Sequence, residues 1–455
     1  MKTAHGSLHL KSSQLLTSVM ATVLVSAMIS PYAYGQDVNH PLNLKEAVGM
    51  AIDNNPSLKQ TAETINQADA QASYVRSGLF PNLSTIVKGS ENKDAANGTG
   101  VKFNGDPYNQ YQTDVHLTQT LFQFGSLDAV GAANKTRDIN KLNTEIAGRD
   151  LTNQVIQAYF QVVLNKRNVD TLKRQEKILR ESVSTTEHRA QTGRSQLLDV
   201  LQVKTQLALL VSQIEAAENQ LQISAASLAN LLGDTRAREF HVRDTLEAPE
   251  LSVVDHEVNF KGFRLPELEV NRLSLEQNKD QRSITIGTNL PNISLVGDYY
   301  YTAFTQSDLF QDYSASWSVG VALTIPMFSG LSSIYQLRGL ASQKTQLEYN
   351  RVNIENATNL NQVSSRKNLE TAKDAIIQGK EALRLAIDSS NEARRKYQLA
   401  TIDFLQFLTV QQSYVQAEQS YNQYKFNYVQ ALANYYVASG QDINKLVDLL
   451  EGANR

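Results

Sequence analysis

Between residues 109 and 122 the chain alternates with a period of two. Tyr111, Thr113, Val115 and Leu117 fall on one side of an extended strand, and Gln112, Asp114, His116 and Thr118 on the other. The same pattern predicts strands over 82–92, 292–304 and 314–326. The third sets Ile293, Leu295, Tyr299 and Tyr301 against Asn292, Ser294 and Asp298. The fourth sets Trp317, Val319, Val321, Leu323 and Ile325 against Ser316, Ser318, Gly320, Ala322 and Thr324. A half-buried sheet in water and a membrane barrel both alternate in this way. Each run nevertheless reaches the roughly 9–11 residues of a tilted spanning strand. Aromatic residues sit toward the strand ends, where interfacial girdles place them.

Between the strands the period changes. None of the nine prolines lies between Pro107 and Pro249 or after Pro326, and both stretches are rich in Ala, Gln, Glu, Leu and Lys. The first predicts a helix from about 126 to 192, roughly 100 Å long at 1.5 Å per residue. That length points to a coiled coil or a helical barrel. Leu197, Val200, Leu207, Val211, Ile214, Leu221, Ala225, Leu228 and Leu232 follow steps of three and four, with Lys204 and Glu218 as polar interruptions. Phe407, Tyr414, Tyr421, Tyr428 and Tyr435 recur every seventh residue. Such seams predict helices that wrap around neighbours, so the tyrosines are expected to pack between helices rather than to stack on a ligand.

The chain also repeats itself. Pro56, Leu58, Pro81, Asn82 and Ser84 have counterparts in Pro266, Leu268, Pro291, Asn292 and Ser294, each 210 residues later. "TLFQFG" at 120–125 is echoed by "PMFSG" at 326–330, and "RAQTGRSQLLDVLQV" from Arg189 by "KYQLATIDFLQFLTV" from Lys396. Three echoes in one order indicate an internal duplication. The expected organisation is a first repeat over 36–233, a joining segment over 234–264, a second repeat over 265–438 and a tail over 439–455. Within the tail, "INKLVDLL" at 443–450 reads as a short amphipathic helix.

Residues 1–35 hold Lys2 and Lys11, no acid, an apolar run from Leu15 to Ile29 and the small-residue end Ala33-Tyr34-Gly35. This reads as a secretory signal peptide. Its loss makes the mature chain more acidic by two charges than the −3 of the whole, so charge gives no reason to expect nucleic acid. With no cysteine, disulfides, thiolate metal sites and cysteine lipidation are excluded. After the leader no run of 18 apolar residues occurs, so no helical anchor is expected.

Four strands separated into two hairpins by long helices cannot close a barrel, since outer-membrane barrels start at about eight strands. Two chains would give eight strands and a filled interior; three would give twelve and leave a lumen. The polar faces carry Ser, Gly, Ala and Thr, which fill space poorly and line water well. Three chains are therefore the better fit. The expected fold is an α+β membrane protein, a trimeric 12-stranded β-barrel with four strands per chain, continued by a long α-helical coiled-coil barrel.

The duplicated "NNPSL…LFPNLS" and "LPELEV…NLPNIS", the strand-ending "TLFQFG" and "IPMFSG", and the paired turns near Gly193 and Ala400 resemble the TolC-like outer-membrane efflux proteins, from about 42 to 438. The resemblance implies a homotrimer in the outer membrane with a helical tunnel across the periplasm. It implies a periplasmic adaptor and an inner-membrane transporter of RND, ABC or MFS type as partners, no cofactor, and passive export of drugs, metals or proteins. It places adaptor-docking tips at Thr192, Gly193, Arg194 and Ser195 and at Leu399, Ala400, Thr401 and Ile402. It places a periplasmic gate near Asp199, Asp403, Gln406 and Thr409. Gln406 and Thr409 stand where relatives commonly carry acids, so a weaker cation ring is expected; Asp403, one turn earlier, is a candidate substitute. Asp199 matches a position that pairs across the closed tip in relatives. Gln112, Asp114, His116, Ser316 and Ser318 are expected to line the barrel lumen. Phe122, Pro326 and Phe328 mark strand–helix junctions, and Thr120 stands opposite Pro326 in the alignment of the repeats.

Two rivals remain. Asp114 and His116 have the spacing of metal ligands, but no further ligand cluster, HExxH, G-x-S-x-G, P-loop or dinucleotide fingerprint accompanies them. Neither catalysis nor a metal is expected. A non-conducting periplasmic coiled-coil scaffold would explain the helices but has no use for a lipid-facing strand face.

Overall fold

A computed structural model describes residues 41–93, 106–233, 242–243 and 265–452. The leader over 1–35 and all of the joining segment except Val242 and Arg243 lie outside the described residues, as does the tail beyond 452.

Asn43 begins α1 (Leu44–Asn54), its side chain accepting from the Glu46 N–H while Glu46 accepts from the Asn43 N–H. Asn55 then caps α2 (Pro56–Ser77) through the N–H groups of Ser57 and Leu58, with Pro56 at the first helical position where its missing donor is not needed. The chain continues through β1 (Asn82–Asn92), β2 (Tyr108–Phe122), α3 (Ser126–Gln191) and α4 (Leu197–Leu231). The order then recurs as α5 (Pro266–Gly287), β3 (Asn292–Ala303), β4 (Ala315–Thr324), α6 (Ser332–Gln398) and α7 (Phe404–Ala438). Corresponding helices match closely in length: 22 and 22 residues, 66 and 67, 35 and 35. A last helix, α8 (Ile443–Gly452), follows.

The four strands form one antiparallel sheet in the order β1-β2-β3-β4. Val87, Thr113 and Tyr301 lie in one row across it, and Thr85, Val115, Tyr299 and Trp317 in the next row on the same face. Ser84, His116, Asp298 and Ser318 form a row on the opposite face. The register therefore collects the alternating patterns of all four strands into one mainly apolar face and one mainly polar face. Near the end of β2 the register shifts between Thr120 and Phe122, so Phe122 pairs with Ile293 and joins the apolar side. The fourth strand stops at Thr324, two residues before its expected end. Pro326 offers no N–H to a ladder, and Ile325 before it is restricted by the proline ring.

α3 packs against both α2 and α5, and α6 packs against α5 and α7. Two ion pairs tie α3 to α5: Lys135 Nζ to Asp280 Oδ2 at 2.5 Å and Arg149 Nη2 to Glu267 Oε1 at 2.8 Å. Where the chain leaves β2 it passes so close to α5 that a Cβ on Gly287 would lie 2.1 Å from the Phe124 carbonyl oxygen. The main core lies around α1, the middle of α3 and the ends of α4, α7 and α8, with Val155, Ile156, Tyr159, Phe160, Leu228 and Leu432 fully or almost fully buried. Tyr159 donates at its centre toward the carbonyls of Leu42 and Arg243, at 3.0 and 3.1 Å. Ile443, Leu446, Val447 and Leu450 bury the apolar stripe of α8 there. Lys45 Nζ lies 2.9 Å from Asp448 Oδ1, and that bond holds its pKa above the ordinary lysine value; both groups are exposed, so the pair adds little stability.

The apolar positions of the seam read from Leu197 to Leu232 are buried or half-buried along its length except at Leu197. Val200, Ile214 and Leu228 are buried, joined by Val203 and Leu210, which the step pattern skipped. Leu197, Leu198, Leu201, Leu209 and Ile223 instead lie on the exposed surface. α4 is apolar on more than one side, and an 18-residue window in it has a mean hydropathy of 1.2. By length and composition it could cross a membrane, although polar residues interrupt it throughout. Its buried stripe instead packs along α3. In the tyrosine series, Phe407, Tyr428 and Tyr435 are buried among helices.

Candidate functional site

The polar sheet face brings together side chains from three strands. Gln112, Asp114 and His116 of β2 share it with Ser316 and Ser318 of β4, because β3 pairs Asp298 with His116 on one side and with Ser318 on the other. His116 Nδ1 lies 2.5 Å from Asp298 Oδ1, and Ser318 donates to Asp298 Oδ2 at 3.0 Å. Thr118 Oγ1 stands 2.7 Å from His116 Nε2. One continuous hydrogen-bonded row thus crosses β2, β3 and β4. Asp298 was legible as a polar-face residue, but its place beside His116 follows from the strand register, which the sequence alone leaves open.

The apolar face is uncovered along the two outer strands. Trp317, Val319, Val321 and Leu323 of β4 and Leu83 and Val87 of β1 are all exposed. Among the described residues, β1 and β4 each have a strand neighbour on one side only.

At the far end of the long helices are two tight turns. α3 ends in a Schellman turn, with Arg194 N–H bonded to the Arg189 carbonyl at 2.8 Å and Gly193 N–H to the Ala190 carbonyl at 3.1 Å. The second turn repeats this with Thr401 N–H to Lys396 at 2.9 Å and Ala400 N–H to Tyr397 at 3.0 Å. Gly193 and Ala400 occupy the left-handed position with φ of +67° and +58°. Thr192, Ser195, Leu399 and Ile402 complete the turns. Asp403 Oδ1 caps α7 by accepting from the Gln406 N–H at 2.8 Å. The Asp199 carboxylate turns back into its own turn, accepting from Ser195 Oγ at 2.7 Å and from the Gln196 N–H at 3.1 Å. Within this chain it does not reach across to the second turn. Gln406 and Thr409 lie on the exposed side of α7, with the Thr409 hydroxyl donating to the Leu405 carbonyl at 2.9 Å.

Between the turns runs a connection that the sequence reading did not single out. Arg189 Nη2 donates to the Tyr397 and Gln398 carbonyls at 2.7 and 3.0 Å, and its guanidinium lies 5.1 Å from the centre of the Tyr397 ring. A cation thus meets the C-terminal carbonyls of α6. Tyr397 stacks on Phe407 with ring centres 4.7 Å apart, and its hydroxyl meets Thr186 Oγ1 at 2.6 Å. The available signal was the echo that aligns Arg189 with Lys396, since two cations at equivalent helix ends suggest a shared duty.

At the junctions, Phe122 is the last residue of β2, whereas Pro326 and Phe328 lie in the exposed connection between β4 and α6. The two junctions differ, the strand running farther where Thr120 replaces the proline.

The sequence profile of the outer membrane efflux protein family matches residues 47–234 and 264–441. The chain belongs to this family. As an outer membrane efflux protein it is a transport protein of the outer membrane rather than an enzyme, with a channel role in efflux or secretion. It is 26% identical over 408 residues to outer membrane protein OprJ of Pseudomonas aeruginosa, covering 87% of this chain and 84% of that protein. A membrane protein from Pseudomonas aeruginosa shares its fold with a TM-score of 0.76 at 21% identity, over 88% of this chain and 90% of the other. The outer membrane protein VceC of Vibrio cholerae gives 0.74 at 17% identity, over 88% and 96%. These likenesses fit the α+β subunit with its four-stranded open sheet and long helices.

Proposed function

We propose that this efflux protein is the exit duct of a tripartite efflux or type I secretion assembly, working as a homotrimer that conducts its substrates passively. The observation that carries the reading is a coincidence of unfinished surfaces. The sheet ends in open edges at β1 and β4, its apolar face is exposed, and α4 and α6 carry exposed Leu201, Leu209, Val352, Leu360 and Val363. An open sheet edge is not stable in a hydrocarbon layer, so the strands need closure. Pairing β4 of one chain with β1 of the next closes twelve strands and sets helix beside helix below them. Lipid then covers the apolar face, and Gln112, Asp114, His116, Ser316 and Ser318 face a wetted lumen.

In this reading each half, 36–233 and 265–438, is one repeat of the wall, and the joining segment 234–264 together with the tail 439–455 forms an irregular collar around mid-tunnel. The turns at Thr192–Ser195 and Leu399–Ile402 dock a periplasmic adaptor, which joins the duct to an inner-membrane transporter of RND, ABC or MFS type. Asp199, Asp403, Gln406 and Thr409 lie near the periplasmic constriction. With Gln406 and Thr409 uncharged, few carboxylates converge there, so block by di- or trivalent cations should be weak.

Planar-bilayer conductance of the purified protein, with an unheated gel for oligomer size, tests the proposal. A trimer-sized band and discrete channels are expected. A monomer carrying no current would return the protein to the scaffold reading. Potent block by low concentrations of multivalent cations would overturn the weak-ring assignment alone.

A further inference from the structure

The polar sheet face holds more than a wetted wall requires. Asp114, His116 and Asp298 each bring one ligand atom to within 4.8 Å of the others. His116 and Asp298 are direct cross-strand partners, and Asp114 lies two residues from His116 on the same face of β2. Ligands around one metal ion at about 2.0–2.2 Å stand roughly 3–4 Å from one another, so a small side-chain adjustment brings all three to one centre. Their neighbours already orient them. The imidazole is hydrogen-bonded at both nitrogens, by Asp298 and by Thr118, so a bound ion replaces one of these bonds while the other and the Ser318 bond to Asp298 hold the group in place.

A second observation points to a missing cation. Asp114 is half-buried, and its Oδ1 is shielded and has no hydrogen-bond partner among the described residues. A buried carboxylate oxygen without a donor is costly, and a metal ion relieves it directly. The alternative, a purely structural network, accounts for His116 and Asp298 but leaves that oxygen unmatched.

We infer that Asp114, His116 and Asp298 form a binding site for a divalent transition-metal ion of the zinc class, one per chain. Two carboxylates and a neutral imidazole supply the charge that balances a dication. The imidazole favours zinc-like ions over magnesium or calcium, which take oxygen donors. Three protein ligands leave a position open to water. The proposed channel matters here only for the statement that this face is wetted, and binding in detergent is measured without any current.

The test uses untagged full-length protein in detergent, with zinc titrated against a chromogenic chelator. One zinc per chain is expected, undisturbed by excess magnesium. Affinity should fall at least about tenfold in His116→Ala, Asp298→Asn and Asp114→Asn, while Ser318→Ala, which keeps all three donors, should change it less. In the unaltered protein, zinc should shield His116 from diethylpyrocarbonate, read by peptide mass; this measurement needs no variant to fold. No saturable binding, binding unchanged in His116→Ala, or equal modification of His116 with and without zinc would overturn the site. Any of these results leaves the conductance reading untouched.

Discussion

At the first tip the chain turns on Gly193, and at the second on Ala400, with nearly the same left-handed φ and the same pair of Schellman hydrogen bonds. The chemistry around this shared backbone differs. Gly193 adopts its conformation freely, while Ala400 pays a steric penalty of about 1 kcal/mol for its Cβ. Asp199 folds back on its own turn, whereas Asp403 caps the following helix. The Arg189 side chain leaves the first turn and satisfies carbonyls at the second. One tip is therefore relaxed and gives a side chain away; the other is strained and is held by its neighbour. Backbone geometry repeats between the halves, and the side chains divide the work.

The comparison breaks most visibly at Arg189. Arg189→Ala removes a charged donor from two carbonyls and a cation from the Tyr397 ring, and should loosen the second tip by about 2–3 kcal/mol. Hydrogen exchange over 395–405 should rise while exchange near Tyr159 stays put; unchanged exchange at the tip would remove this asymmetry. Gly193→Ala should cost about 1 kcal/mol at the first tip through the left-handed conformation alone, because no atom lies within 4 Å of the added Cβ. Asp403→Ala, which strips the cap from α7, should cost about 1 kcal/mol, seen as faster exchange at Gln406. Ala400→Gly acts in the opposite direction. Relief of strain exceeds the added chain entropy only slightly, so the second tip should gain no more than about 0.5 kcal/mol.

The smallest effect near neutral pH comes from the other end of α7. Burial pushes the Tyr435 hydroxyl up to about 12. The unfolded chain loses that proton near pH 10, so the stability it contributes is complete below pH 10 and declines as pH rises toward about 12. Thermal melts between pH 8 and 12 should show this decline, and Tyr435→Phe should lessen it.

Much of the fold could be read from period and punctuation. Proline at residues 56 and 266, alternation in four runs and the proline-free stretches give β1 and the start of α3 to the residue, because local patterning and tertiary packing agree there. The failures occur where a second body decides. β4 ends at Thr324, although Ile325 continues the alternation, because hydrogen-bond supply rather than hydropathy stops a strand beside Pro326. The α4 seam leaves out a second apolar stripe, with Leu198, Leu201, Leu209 and Ile223 on the open surface, because a heptad count follows one face of a helix that is apolar on more than one. Asp298 joins His116 only through the register of strands about 180 residues apart in sequence. Arg189 carries no local signal in the sequence, and only the three-dimensional meeting of two helix ends gives its side chain a partner.

The open edges of β1 and β4 also have a genetic consequence. Under the proposed closure every chain lends one edge to each neighbour, so a single chain with a damaged edge spoils the whole ring. In a cell making equal amounts of sound and edge-defective subunits, random assembly leaves only about one ring in eight intact. Defects at these two strands should therefore behave as dominant, while defects confined to the masonry inside one chain, such as the Arg189 tie, should be diluted by sound partners.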